Sequence, residues 1–565
     1  MRSFLIALGL IFAAPAMAAP APAPATARHA MVVTAQHLAT QVGVKVLKEG
    51  GNAVDAAVAV GYALAVVHPC CGNLGGGGFM TLHLADGRNL FLNFRERAPL
   101  AATAGMYLKA DGSVDHAASL RSYEAVGVPG TVMGLNTALD RFGSLSRAKV
   151  MAPAIELAKS GFIIAPGDAA LFAHAGNKLE SDASARKQFL IDGHLPRAGE
   201  RLKQPALANT LKLISTQGDK AFYDGPIATA IVKASQANGG LLTMRDFQQY
   251  SVEWLPTIEC SYRGYKIESA PPPSSGGITL CEMLNILSGW PKFPHYAYHS
   301  VPEVHYMVEA MRFAYADRNN DLGDPDFVNN PAARLLSDKH AAWIRAQIPA
   351  DKAVPSTAVH GGSVNAAPGP EGRHTTQYSI VDTQGNAVSV TYTLNSLYGT
   401  GLMAPGTGFL LNNEMNDFTS KPGVPNQFGL VQGKANAIAG GKRPLSSMTP
   451  TIVLKGGNVF MVTGSPGGST IINTTMETIL DVINHGMNVK QAVDAPRIHQ
   501  QWLPDIVYLE PGALAPKVKA SLEKMGYNFK TVSHWGAAEA IVVRPDGVLT
   551  GGNDRRRPAG LAAGY

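Results

Sequence analysis

Cysteine is scarce in this chain. Four occur in 565 residues, and no two are spaced as CxxC, so zinc has no cysteine scaffold. Adjacent Cys70 and Cys71 would bridge each other only through a strained eight-membered ring, which leaves a Cys260–Cys281 disulfide as an option after export. Charge is sparse as well. Asp, Glu, Lys and Arg make up 16% of the residues, and the net charge of +6 is spread along the chain. No basic run exceeds Arg555–Arg557, so the concentrated cationic face of a nucleic-acid binder is missing. No apolar stretch reaches the roughly 20 residues needed to span a bilayer. Phe4–Ala14 follows Arg2 and leads into Ala16-Met17-Ala18, so residues 1–18 read as a secretory signal peptide and the mature protein is expected in a bacterial periplasm. Ala56–Val67, bordered by Asp55, reads as a buried helix. No repeat recurs at the roughly 20–50-residue period of a solenoid.

Several catalytic signatures are also missing. There is no GxSxG elbow, and Gly75–Gly78 lacks both the GxGxxG spacing and a Gly-Lys-Ser/Thr ending. That glycine run reads instead as a tight turn into a buried strand. Ser146–Lys149 and Ser184–Lys187 fit SxxK without the companion motifs of penicillin-binding enzymes. His295, His299 and His305 are interrupted by Pro294 and Pro302 and read as surface or core histidines. A serine or metal hydrolase gains little support.

What is present is a chain with 46% hydrophobic residues, enough for a large core. Residues 19–30 form an Ala/Pro-rich tether, expected to be extended and disordered, and the fold proper is expected to begin near Met31. Helical spacing (Ala39, Val42, Val46, Leu47) precedes a Gly50-Gly51-Asn52 turn and a second helix from Val54. Residues 120–345 are mostly helical in pattern. Residues 355–374, rich in Gly, Pro and Ser, read as a flexible linker with a boundary at about 374. Beyond it comes a β-hairpin. A turn centred on Gln384 sets Thr375 opposite Thr393, Gln377 opposite Thr391 and Ser379 opposite Ser389, with Tyr378–Val390 and Ile380–Val388 on the other face. The alternation predicts a half-buried sheet with one hydroxyl-rich face. A threonine where a linker meets a strand is a candidate internal nucleophile. Freed as a chain terminus, its own α-amino group, with a pKa near ~7.7–8.0, can take the hydroxyl proton.

HTTQYSIVDTQGNAVSVTYTLNSLYGTG resembles the processing site of gamma-glutamyltransferases, which are cut before the first threonine of the TT pair. The resemblance extends through GGNAVDAAVA, GNLGGGGFM, NFRERAP, PPPSSGG, EAMRFAYADR, LLNNEMNDF, KRPLSSMTP, TGSPGGS and DRRRPAGLAAGY. It implies an α+β N-terminal-nucleophile hydrolase, a four-layer αββα sandwich formed by two chains after autoproteolysis. Residues 31–374 would be the large subunit and 375–565 the small one. Thr375 would attack first the carbonyl of His374 and then the γ-carbonyl of glutathione or a related γ-glutamyl compound. The group would pass to an amino acid, a peptide or water, with no cofactor required. Thr393 would orient the nucleophile, and Gly467 and Gly468 would form the oxyanion hole. Arg95, Ser446 and Ser447 would bind the substrate carboxylate, while Asn395, Glu414 and Asp417 would accept from its ammonium. Pro422–Gly429 resembles a lid in which many bacterial relatives carry a tyrosine bonded to the residue equivalent to Asn395. This chain has Phe428 there, which lacks the hydroxyl. The nearest rival, a cephalosporin or glutaryl acylase of the same fold, has no reason to keep Glu414 and Asp417. An unprocessed binding protein would stay one chain of 59.5 kDa.

Overall fold

The computed structural model describes residues 23–359 and 374–565. The signal segment and most of the linker lie outside them. Two seven-stranded antiparallel sheets form the centre. One runs, neighbour by neighbour, through Leu561–Gly564, Met31–Thr34, Thr376–Val381, Ala387–Thr393, Gly77–His83, Asn89–Phe94 and Glu253–Leu255. The other runs through Ala25–Ala27, Leu549–Asn553, Glu539–Val543, Asn458–Thr463, Thr451–Lys455, Tyr265–Ser269 and Ile258–Tyr262.

The hairpin register is the one the sequence implies, with Gln377 paired to Thr391, Tyr378 to Val390 and Ser379 to Ser389. Its apolar face looks outward. Tyr378, Ile380, Val388 and Val390 pack with the helices His37–Lys48 and Ala53–Val67 in one large core. The second of these helices is buried on every side and starts on a capping box between Asn52 and Asp55. On the far side, Gly276–Ser288, Val301–Asp321 and Ile471–Ile483 cover the second sheet. The layer order is therefore αββα.

Three readings change. The hydroxyl-rich hairpin face is not half-solvated but fully buried between the sheets. It is tolerated there because its polar atoms pair: Ser379 donates to the Glu539 carbonyl at 2.7 Å, Ser389 to that of Thr463 at 2.8 Å, and Thr391 to Gln377 Oε1 at 2.5 Å. Secondly, the tether is ordered at its end. Ala25–Ala27 pairs with Leu549–Gly551, and small side chains let this edge strand close over Met31 and Ala562. Thirdly, residue 374 does not separate two independent domains. Both sheets are built from strands on both sides of it, so neither half has a complete sheet alone.

Cys260 and Cys281 are bonded, with Cα atoms 5.7 Å apart, tying Ile258–Tyr262 to the helix Gly276–Ser288. Among the described residues no helix is long and apolar enough to cross a membrane.

Candidate active site around Thr375

Thr375 sits one residue before its strand, 5% exposed, and lines a pocket with Arg95, Thr393, Asn395 and Gly468. Its φ of +88° is a conformation that a β-branched residue adopts only under constraint, at a cost of about 1–3 kcal/mol. The neighbours supply that constraint. Thr375 Oγ1 donates to Thr393 Oγ1 at 3.0 Å, and the Asn395 backbone N–H donates to the same Thr393 oxygen at 2.9 Å. On the other side of the junction, the Gly467 N–H donates to the His374 carbonyl oxygen at 3.1 Å. The His374 ring is fixed by the Leu397 N–H on Nδ1 at 2.7 Å. A held hydroxyl and a polarised carbonyl thus flank one peptide bond.

Gly467 and Gly468 lie in the turn between the strand Asn458–Thr463 and the helix Ile471–Ile483. Both have positive φ, +141° and +60°. A Cβ on Gly467 would lie 2.4 Å from Thr470 Oγ1, and one on Gly468 2.5 Å from the Phe428 ring. The Gly75–Gly78 run is equally tight: a Cβ on Gly76 would lie 1.9 Å from the Thr393 carbonyl oxygen, so backbone meets backbone directly behind the site.

Arg95 lines the same pocket and is fully buried. Its fork holds Glu414 and Asp417, the latter at 2.6 Å, while Nε donates to the Pro444 carbonyl at 3.1 Å. Glu96 lies 3.5 Å away. Burial opposes the guanidinium charge, but these carboxylates more than offset it and hold Arg95 protonated. Burial also raises Glu414 well above the usual carboxylate range and Glu96 to about 7, with Arg95 opposing both shifts. Asn395 donates through Nδ2 to the Asn413 carbonyl at 3.0 Å, which fixes its amide. Ser446 Oγ accepts the Met448 N–H at 3.0 Å, and Ser447 Oγ accepts from Arg318 at 3.0 Å.

Phe428 is buried against Gly468 and 5.9 Å, centroid to centroid, from the His374 ring. Bonds that do not involve its side chain also hold this segment. Ser396 Oγ donates to Gln427 Oε1 at 2.7 Å, the Gln427 N–H donates to Asn416 Oδ1 at 3.1 Å, and Gln501 donates to the Phe428 carbonyl at 3.2 Å.

A model of the gamma-glutamyltranspeptidase family matches residues 39–564. The chain belongs to this family. Among gamma-glutamyltranspeptidase relatives, it is 53% identical over 549 residues to a glutathione hydrolase proenzyme of Pseudomonas sp. (strain A14), covering 95% of each chain. It is 46% identical to the glutathione hydrolase proenzyme of Escherichia coli (strain K12), over 95% of this chain and 92% of the other. A solved cephalosporin acylase from Bacillus halodurans superposes with a TM-score of 0.85 at 28% identity, covering 98% of this chain and 99% of its own. The αββα sandwich is that of the N-terminal-nucleophile hydrolases, which both activities share.

Every site residue that the resemblance names converges on this one place. Arg318, Ser275, Glu96 and Gln427 were not singled out from the sequence. Arg318 and Ser275 stand in the EAMRFAYADR and PPPSSGG blocks, but nothing local shows that a helix residue and a turn residue meet Ser447 and Ser446.

Proposed function

We propose that this gamma-glutamyltranspeptidase family member cuts itself between His374 and Thr375 and then hydrolyses and transfers γ-glutamyl groups from glutathione and related compounds. The observation that carries the reading is the junction itself: Thr375 Oγ1 on Thr393, and the His374 carbonyl on the Gly467 N–H. In self-cleavage, Thr375 Oγ1 adds to the His374 carbonyl carbon while Gly467 steadies the developing oxyanion. The C–N bond breaks, and water opens the resulting ester. The hydroxyl proton goes to the departing Thr375 nitrogen, so C–N cleavage frees the amine and relieves the strained φ, while the hydrolysis leaves a carboxylate on His374 and restores the Thr375 hydroxyl. The two subunits, 31–374 and 375–565, stay together because each contributes strands to both sheets.

In turnover, the freed α-amine takes the Thr375 proton as the oxygen adds to the γ-carbonyl of the donor, and passes it to the departing amine. Gly467 and Gly468 face the oxyanion. Water, an amino acid or a peptide then accepts the glutamyl group from the threonine ester. Asp417, Glu414 and the fixed amide of Asn395 suit an ammonium, whereas Arg95, Ser446 and Ser447 suit a carboxylate. The buried acids favour this reading over an acylase acting on glutaryl groups, which carry no ammonium. The disulfide and the leader-like residues 1–18 support export to an oxidising compartment, the periplasm.

Thr375→Ala is the test. It should remain one uncut chain without activity on a γ-glutamyl anilide, whereas wild type gives two fragments and releases the aniline. Clean cleavage of the alanine variant would overturn the assignment.

A further inference from the structure

The pocket contains a second buried arginine. Arg318 projects from the helix Val301–Asp321 and is 1% exposed. Unlike Arg95, its hydrogen-bond acceptors are all neutral: Ser275 Oγ at 3.0 Å, Asn319 Oδ1 at 2.8 Å, Gln432 Oε1 at 3.0 Å and Ser447 Oγ at 3.0 Å. Burial lowers its pKa to about 10, still far above neutral, with Tyr315 and Asp417 opposing through space and Arg95 adding to the fall. A buried cation served by neutral dipoles is poised for an anion.

The direction of these bonds carries more. A guanidinium has donors and no acceptor, so Ser447 Oγ must accept from it, and the serine's own proton points elsewhere. Ser446 Oγ is likewise occupied by a pure donor, the Met448 N–H. Arg318 reaches Ser446 too. It donates to Ser275 Oγ, which therefore turns its proton to the Ser446 carbonyl at 2.7 Å. Both pocket hydroxyls are left as donors.

We infer that Arg318 is the positioning residue of the donor-carboxylate subsite: it sets Ser447 directly and Ser446 through Ser275, and supplies the positive charge that Arg95, held by Glu414 and Asp417, has largely spent. This rests on the γ-glutamyl reading above.

The test compares Arg318→Gln with wild type, using two competitive inhibitors of γ-glutamyl anilide hydrolysis. Glutamate carries the α-carboxylate and α-ammonium, while 4-aminobutyrate lacks the α-carboxylate. Charge-assisted bonds of this kind correspond to roughly ten- to a hundredfold in binding. The inhibition constant of glutamate and the donor KM should rise by that factor, with kcat moving less. That of 4-aminobutyrate should stay within about threefold on the same scale, and Arg318→Lys, which keeps the charge, should recover part of the loss. Equal weakening of both inhibitors, or no weakening of either, overturns the inference. If the glutamine variant does not cut itself, the lysine variant is judged on the same ratio, and an unchanged ratio there also overturns it. Absence of γ-glutamyl hydrolysis in wild type would instead refute the function on which it rests.

Discussion

Thr393→Val separates two effects that the junction combines. Thr393 Oγ1 accepts from Thr375 Oγ1 at 3.0 Å and from the Asn395 N–H at 2.9 Å, and the residue is 2% exposed. Valine keeps the shape and removes both bonds. The Asn395 N–H is then buried without a partner, which costs about 1–3 kcal/mol of stability in the precursor and in the transition state alike. Only the loosened Thr375 hydroxyl should alter the rate. A neutral hydrogen bond contributes about 0.5–1.5 kcal/mol, so self-cleavage and turnover should each slow roughly two- to twelvefold. Stability is read from denaturant midpoints in a Thr375→Ala background, so that the same uncut species are compared. Rates come from the gel time course of the precursor and from γ-glutamyl anilide hydrolysis. Thr393→Ser should behave nearly as wild type. Rates unchanged within about twofold would show that Thr393 does not orient the nucleophile, and slowing beyond about a hundredfold would make it a proton carrier rather than an orienter.

Arg95→Lys should raise the donor KM roughly ten- to a hundredfold, because one ammonium cannot serve Glu414, Asp417 and a ligand together; an unchanged KM would place the carboxylate elsewhere. Gln427→Ala removes the Ser396 latch and should raise the hydrolysis-to-transfer ratio several-fold, measured as two product streams from one donor at fixed acceptor. Phe428→Tyr should shift that ratio less, and a larger effect from the tyrosine would make residue 428 the latch after all. His340 joins Asp317 at 2.8 Å and Glu282 at 3.2 Å; burial opposes its charge, but these bonds push its pKa up to about 9 from 6.5. The stability it contributes is therefore complete below about pH 6.5 and lost as pH rises towards about 9. Thermal midpoints should fall across that window in wild type and not in His340→Asn, and parallel curves would refute the assignment.

The hairpin beside Thr375 was legible because its evidence is local. The register of a hairpin follows from alternation and a turn, so Thr375 opposite Thr393 could be read from about twenty residues; the structure keeps that register from Thr376–Tyr392 onward and joins Thr375 to Thr393 through their hydroxyls. The two helices after Met31, the glycine turn into a buried strand and the family blocks were legible for the same reason. Other features depended on distant partners. Alternation shows that a strand has two different faces but not what covers them, so the hydroxyl-rich face seemed half-solvated until the second sheet closed over it. Composition marked residues 25–27 as tether, although an edge strand at 549–551 was waiting for them. The linker near 374 looked like a domain boundary because no sequence pattern tells which strands will share a sheet. Arg318 is a buried position on a long helix, and the packing of that helix against the Ser274-Ser275 turn, Gln432 and the Ser446-Ser447 loop gives it its acceptors from outside the helix. The sequence by itself determined the hairpin register beside Thr375 and the family blocks; tertiary structure alone decided which charges face one another, because electrostatic partners are set by distance in space and not along the chain.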